Sequence, residues 1–265
     1  MEELLKKAIY ASIEAGKAIL NIYSQDFSVE TKSDNSPLTQ ADKNAHLVIK
    51  DALKDLGLPI LSEEGKLLSF EERKNWETFW LIDPLDGTKE FIKKNGEFTV
   101  NIAMIQKGVP VLGVVYVPVT GMLYYGTEKE GSFQVKLPQN ATASEIDSQL
   151  NHSEKLPAAN NTVPYTVVAS RSHNTPETDA FIDDRKKIYG DVEIISAGSS
   201  LKLCLVAEGK AQVYPRLAPT MEWDTAAGHA VAKFSGCRVY DYKTNEDLVY
   251  NKENLLNPWF VVERN

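Results

Sequence analysis

The sequence predicts a mixed α/β protein in two halves, an α+β first half and an α/β second half. Three observations carry that reading. Phe98 to Ile105, Val111 to Tyr116 and Met122 to Tyr125 are β-rich runs separated by Gly and Pro turns, which predicts an antiparallel meander. From residue 165 onward, short β-rich runs alternate with helical stretches, the pattern of an α/β unit. Between the two, residues 136 to 162 are poor in large apolar side chains and rich in Asn, Ser, Ala and Pro. They read as a domain boundary or a long surface loop, which divides the chain into residues 1–157 and 158–265.

The elements follow in order. Leu5, Ala8, Ile9, Ile13, Gly16, Ile19, Leu20 and Tyr23 form one stripe at helical spacing over residues 3 to 23. Asp34-Asn35-Ser36-Pro37 is a breaker. Thr39 to Asp42 reads as a capping box, with Thr39 at the N-cap and Asp42 three residues on. The helix it opens runs through Leu56 and stops at Gly57 and Pro59. A short strand ends at Ser62 and delivers Glu63 and Glu64. Another, Thr78 to Ile82, is terminated by Asp83-Pro84. In the second half, strands are predicted at Tyr165–Ala169, Val192–Ile195, Ala211–Tyr214, Arg238–Tyr240 and Trp259–Val262. Helices are predicted at Pro176–Lys187, Leu201–Ala207 and Thr225–Phe234.

Composition narrows the function. With 265 residues and 43% hydrophobic content, the chain can bury a large core. Its formal charge of -8 disfavours a nucleic-acid polymer as partner, because a polymer binder usually presents a basic face. A small anion remains compatible if cations or backbone amides supply local positive potential. Cys204 and Cys237 are far apart and read as reduced, buried thiols. The N-terminus is amphipathic rather than a signal peptide, and no apolar run is long enough to span a membrane, so the compartment expected is the cytoplasm.

The chemistry lies in acidic residues at element ends. Asp83-Pro84-Leu85-Asp86-Gly87-Thr88 can be read as a tight turn and nothing more. Against this, an apolar strand feeds it, Glu63 stands at a second strand end, and Asp224 stands at the start of a small-residue helix. Four carboxylates so placed suit a hard, oxygen-ligated cation such as Mg2+, with the Leu85 carbonyl as a neutral donor. Two or more ions sharing them could flank a phosphate. Asp42 is explained by helix capping alone; the functional alternative is that it accepts a proton from the Thr88 hydroxyl, which positions the attacking water. Gly87 would let backbone amides approach a phosphate. No Walker-type phosphate loop, Gly-x-Ser-x-Gly elbow or zinc-spaced histidine set is present.

Asp83 to Thr88 and Trp223-Asp224-Thr225-Ala226-Ala227-Gly228 together resemble the two signatures of the inositol monophosphatase superfamily. The runs DPLDGTKEFIKKNGEFTVNIA (83–103) and SEEG (62–65) are similar to its bacterial 3'(2'),5'-bisphosphate nucleotidase branch, of the CysQ type. The resemblance implies a layered αβαβα sugar-phosphatase fold, and two or three Mg2+ ions held by Glu63, Asp83, the Leu85 carbonyl, Asp86 and Asp224. Asp42 and Thr88 become the water-activating pair, with Glu63 also catalytic. Gly87, Thr88, Asp224, Ser170 to His173, and Gly198 to Lys202 would line the nucleotide site. His173 can equally be a loop cap, and Lys202 a solvated helix lysine.

The activity implied is removal of the 3'-phosphate from adenosine 3',5'-bisphosphate, with the sulfated nucleotide as a second candidate substrate and lithium as inhibitor. Peripheral attachment to the inner membrane is also associated with the family, although the first helix shows no anchor beyond an ordinary core-facing stripe. Glu222, directly before Trp223-Asp224, would add negative charge near an anionic substrate if it faced the site. The alternatives are an inositol or other sugar phosphatase using the same metals, and a non-catalytic module that binds nucleotide or metal.

Overall fold

The computed structural model describes residues 2–25, 28–31, 37–66, 68–158, 164–170 and 175–264. The first half begins with helix α1 (Glu2–Tyr23), a two-stranded ribbon of β1 (Val29–Thr31) and β2 (Pro37–Thr39), and helix α2 (Gln40–Leu53). Next come β3 (Ile60–Ser62), the short α3 (Phe70–Arg73), β4 (Thr78–Asp86) and the short α4 (Thr88–Ile92). The meander is β5 (Thr99–Gln106), β6 (Val109–Val117), β7 (Met122–Thr127) and β8 (Gly131–Lys136). Helix α5 (Ala143–Leu150) and β9 (Glu154–Lys155) follow it.

β3 to β9 form one seven-stranded sheet in chain order, parallel only between β3 and β4. The second half contributes β10 (Tyr165–Ser170), α6 (Pro176–Tyr189), β11 (Val192–Ala197), α7 (Leu201–Ala207), β12 (Val213–Arg216), α8 (Glu222–Phe234), β13 (Cys237–Asp241) and β14 (Phe260–Arg264). Its five strands run in the order β11-β10-β12-β14-β13.

The layers follow from what each face buries. Along β4, Trp80 and Ile82 pack with α1 and α2, whereas Phe79 and Leu81 pack with α7 and α8. A strand buried on both faces reads as a continuous apolar run, as this one does. Helices α7 and α8 lie between the two sheets, and every residue of α8 from Thr225 to Ala232 is buried. Phe181 and Ile182 of α6 cover the far face of the second sheet against Val167, Val213 and Val261. The stack is therefore helix, sheet, helix, sheet, helix, the predicted αβαβα arrangement.

Three expectations need correction. Asp83-Pro84 does not terminate β4. The strand continues to Asp86 through a bulge: Asp83 pairs with Asn101, Asp86 with Thr99, and the register shifts between them. Pro84 has no N–H to offer the ladder, and the Leu85 N–H turns to the Asp83 side chain at 3.0 Å instead. The described part of the 136 to 162 segment, residues 136–158, is not a featureless loop. Thr142 and Glu145 form a capping box for α5, and Leu137, Ala141, Ile146 and Leu156 are buried. Few but well-placed apolar residues suffice to dock a short helix, so composition understated the segment. Finally, α8 begins at Glu222 rather than Thr225, which puts Asp224 inside its first turn.

One close approach fixes α8 against the first sheet. A Cβ on Gly113 of β6 would stand 2.4 Å from the Ala227 carbonyl oxygen and 2.6 Å from the Ala230 Cβ. Gly113→Ala is therefore expected to cost about 1–3 kcal/mol through overpacking. A lowered urea midpoint at unchanged slope would show it.

Candidate active site

The parallel pairing of β3 with β4 creates the acidic centre. Ser62 lies opposite Ile82, and the Glu63 N–H donates to the Ile82 carbonyl at 3.1 Å. Glu63, just past the end of β3, and Asp83, at the bulge of β4, therefore stand side by side. Asp224 arrives from the first turn of α8, where its carboxylate accepts the Met221 N–H at 2.8 Å. Carboxylate oxygens of Glu63, Asp83 and Asp224 all lie within 4.8 Å of one another.

Asp86, past the bulge, accepts a hydrogen bond from the Ser200 backbone N–H at the start of α7. The Ser200 hydroxyl meets Thr99 Oγ1 at 2.8 Å and donates to Asn101 Oδ1 at 2.7 Å. This buried polar network ties the two halves together beside the carboxylates.

Electrostatics show what the cluster lacks. Burial, reinforced by Glu63, Asp86 and Asp224, holds Asp83 well above the usual carboxylate range. Asp224 is raised well above it too, by burial and then by the charges of Asp86 and Glu63. Asp86 is pushed up to about 6 by burial, although Lys202 opposes the rise. Buried like charges are tolerated ionised only when a cation joins them. Clustered carboxylate oxygens are the donor set of a hard divalent ion, so these residues fit a metal of that class. Leu85 points its side chain into the first core cluster, which leaves its carbonyl as the polar group it can offer.

Thr88 opens α4 behind Gly87, whose φ of +92° is readily available only to glycine. The Thr88 hydroxyl donates to Asp42 Oδ1 at 3.3 Å. The other oxygen of Asp42 accepts the Thr39 N–H at 2.8 Å and the Thr39 hydroxyl at 2.6 Å. Asp42 thus caps α2 and reaches Thr88 at once; the two readings of this residue are compatible.

Glu63, Asp86, Gly87, Thr88, Gly198, Lys202 and Asp224 line one cleft of about 270 Å³. Lys202 is not the solvated lysine that its helical position allowed. It is 6% exposed, donates to the Ala197 and Ser199 carbonyls, and is pushed down to about 8 by burial. Gly198 donates its N–H to Glu97 at 2.8 Å, and a Cβ there would meet the Glu90 side chain at 2.7 Å. Ser170 ends β10, and nothing of its side chain is described; Arg171, Ser172 and His173 lie outside the described residues.

Glu222 does not face the cleft. It is fully buried and accepts the backbone N–H groups of Asn251 and Lys252 and the Lys252 ammonium, so it adds no charge to the site. Ser200 falls within the Gly198 to Lys202 stretch that the resemblance pointed to, whereas Asn101 and Arg216 were not singled out by the sequence. Arg216 ends β12, an element end of the same kind as the one that carries Glu63, but its charge is of the opposite sign.

The sequence model of the Inositol monophosphatase family matches residues 1–262. The chain belongs to the inositol monophosphatase family. That family is metal-dependent, in keeping with the acidic cluster. The chain is 45% identical to the 3'(2'),5'-bisphosphate nucleotidase CysQ of Shigella flexneri over 264 residues, covering 98% of this chain and 99% of that protein. It is 44% identical over the same length and shares of the chains to the CysQ of Escherichia coli strain K12.

Among solved structures of the family, CysQ from Bacteroides thetaiotaomicron superposes with a TM-score of 0.91 at 50% identity, covering 100% of this chain and 98% of that one. The suhB protein of Bartonella henselae shares the fold at a TM-score of 0.75 and 21% identity, covering 99% and 94% of the two chains. No helix among the described residues is long and apolar enough to cross a membrane.

Proposed function

We propose that the chain hydrolyses the 3'-phosphate of adenosine 3',5'-bisphosphate, giving AMP and phosphate, and accepts the sulfated nucleotide as a second substrate. It is a phosphoric monoester hydrolase of the bisphosphate nucleotidase type. The observation that carries this reading is the convergence of the Glu63, Asp83 and Asp224 carboxylates, of which Glu63 and Asp224 line the cleft, taken with full-length similarity to nucleotidases of that name. Two or three magnesium ions would be held by Glu63, Asp83, the Leu85 carbonyl, Asp86 and Asp224. When bound they supply Lewis-acid charge at the phosphate and lower the pKa of water.

The chain's own groups do the rest. Thr88 orients the attacking water through its hydroxyl oxygen, and Asp42, bonded to Thr88, draws proton density away from it. Glu63 takes part in the same activation. The water oxygen bonds to phosphorus, the P–O3' bond breaks, and the ribose oxygen gains a proton. Gly87 and Gly198 keep the cleft floor free of side chains, and Lys202 and Asp224 border the ligand. Ser170 and His173 belong to the nucleotide side in this reading. Residues 1–157 and 158–265 are the two units whose junction makes the site. The ligand is a small bisphosphate nucleotide rather than a nucleic-acid polymer, and the enzyme works in the cytoplasm.

The test is phosphate release from adenosine 3',5'-bisphosphate and inositol 1-phosphate, side by side in magnesium, with and without lithium. Fast, lithium-sensitive release from the nucleotide is expected. Preference for inositol 1-phosphate would overturn the substrate and keep the family chemistry; release from neither would point to a binding module.

A further inference from the structure

Glu222 is a fully buried carboxylate that the reaction just described does not use. It stands two residues before Asp224 in the first turn of α8. Its oxygens accept the Asn251 N–H at 2.7 Å, the Lys252 N–H at 3.0 Å and the Lys252 ammonium at 2.5 Å. Asn251 and Lys252 belong to a segment, 250–257, that grips the same turn at further points. The Glu222 N–H donates to the Leu255 carbonyl at 2.9 Å. The Asn257 side-chain amide donates to the Met221 carbonyl at 2.7 Å and to the Thr225 hydroxyl at 3.1 Å. The Tyr250 hydroxyl donates to the Thr225 hydroxyl at 3.3 Å.

The segment is itself anchored on the first half. Arg73, at the end of α3 and only 2% exposed, donates to the Asn251 side chain at 2.8 Å and to the carbonyls of Lys252 and Glu253 at 2.7 and 2.9 Å. The Asn251 side chain returns a bond to the Arg73 carbonyl at 2.9 Å, and the charges of Arg73 and Glu222 attract. The Tyr250 N–H donates to the Gly108 carbonyl at 3.0 Å. Apolar contacts would dock a loop at lower cost than a buried carboxylate and a buried guanidinium, because both charges must leave water. What directional, charge-assisted bonds add is a fixed orientation. The first turn of α8 needs one. Its Asp224 carboxylate lies within 4.8 Å of those of Glu63 and Asp83, and like charges so close push apart the elements that bear them.

We propose that Glu222 and Arg73 are positioning residues: through segment 250–257 they hold the first turn of α8 against this repulsion, and so keep Asp224 preorganised to bind the metal with Glu63 and Asp83. Neither lines the cleft. The role rests on the metal site of the reading above, not on which phosphate ester is cleaved.

Calorimetric titration of magnesium into the wild type, Glu222→Gln and Arg73→Met, without substrate, tests it. Both variants should bind magnesium about 10-fold or more weakly, the usual worth of a group that supports a metal ligand from behind. Arg73→Lys, which keeps the charge but not the fork, should recover part of the loss. In turnover of adenosine 3',5'-bisphosphate, the magnesium concentration for half-maximal rate should rise by the same factor, while the nucleotide KM in saturating magnesium stays within about twofold. Variants that melt at a lower temperature but bind magnesium as tightly as the wild type would overturn the proposal, because segment 250–257 would then be a structural brace alone.

Coupling is reciprocal, so the wild type offers a readout that needs no variant to fold. Magnesium should slow amide exchange at Asn251 and Lys252, whose N–H groups Glu222 holds, by about tenfold or more beyond any slowing in α6. Equal slowing in both places would overturn the proposal. Weakened magnesium binding in the variants, with no phosphate release from the nucleotide by the wild type, would sink the nucleotidase reading and leave the positioning role standing.

Discussion

Asp83→Asn is expected to abolish turnover and, in the metal-free protein, to raise stability. Both effects have one cause. Asp83 is 1% exposed and surrounded by Glu63, Asp86 and Asp224, so its ionised form is costly in the fold unless a cation is bound. Asparagine keeps the shape and can still accept the Leu85 N–H, but it removes the charge. Turnover should fall by about 10³-fold or more, because both cation binding and the developing charge on phosphate depend on the carboxylate set. Stability of the chelated protein at neutral pH should rise by about 1–3 kcal/mol.

The linkage sign is set by the raised values. A carboxyl whose folded-state pKa exceeds the unfolded one contributes stability that is fully present below the unfolded value, near about 4. That contribution is lost as pH rises through the folded value. Asp86, pushed up to about 6, should therefore make the chelated protein's melting temperature fall between about pH 4 and 6. Asp83 and Asp224 should carry the decline further, and magnesium should flatten it. Melting curves of wild type and Asp83→Asn, in chelator and in magnesium, across that pH range measure all of this. A wild-type profile in chelator that does not fall would contradict the charge account.

Thr88→Val and Asp42→Asn should each lower turnover by about 10²- to 10⁴-fold, the usual contribution of a positioned acid–base group. Neither residue is in the ligand set, so magnesium binding followed by calorimetry should persist in both. The double variant should be scarcely worse than either single one, since the Thr88 hydroxyl and Asp42 are bonded and act as a unit. Asp42→Asn should also cost about 0.5–2 kcal/mol of stability through the weakened cap of α2, whereas Thr88→Val should not. Simple additivity of the two kinetic losses would mean that the residues serve separate steps.

The contrast between Asp83 and Lys202 shows what the sequence could and could not convey. Asp83 is legible because an apolar run leads into it, and a carboxylate directly after such a run has few structural uses. That Glu63 is its neighbour depends on β3 lying beside β4, and a pairing of that kind leaves no periodic trace in the chain. Lys202 sits in a seven-residue helix enclosed by two sheets. Such a helix has no solvent face, so a rule that sends lysines outward fails there. Its burial depends on groups far off in the chain, such as Asp86, Glu90 and Glu97 from the first half.

The same holds for α8, where continuous burial from Thr225 to Ala232 leaves no stripe to mark its start at Glu222. The β4 bulge is hidden in the sequence for a different reason. Asp-Pro marks a turn in most contexts, and here the ladder resumes at Asp86 because Thr99 is there to receive it.

The most direct measurement of the central claim is phosphate release from adenosine 3',5'-bisphosphate by chelator-stripped protein as magnesium is restored, with melting temperature followed in the same samples. The account predicts no release without magnesium, and recovery of activity in parallel with a rise in melting temperature. Release that persists in excess chelator, or activity that returns with no change in stability, would contradict the claim that the buried carboxylates of Glu63, Asp83, Asp86 and Asp224 hold the ion on which hydrolysis depends.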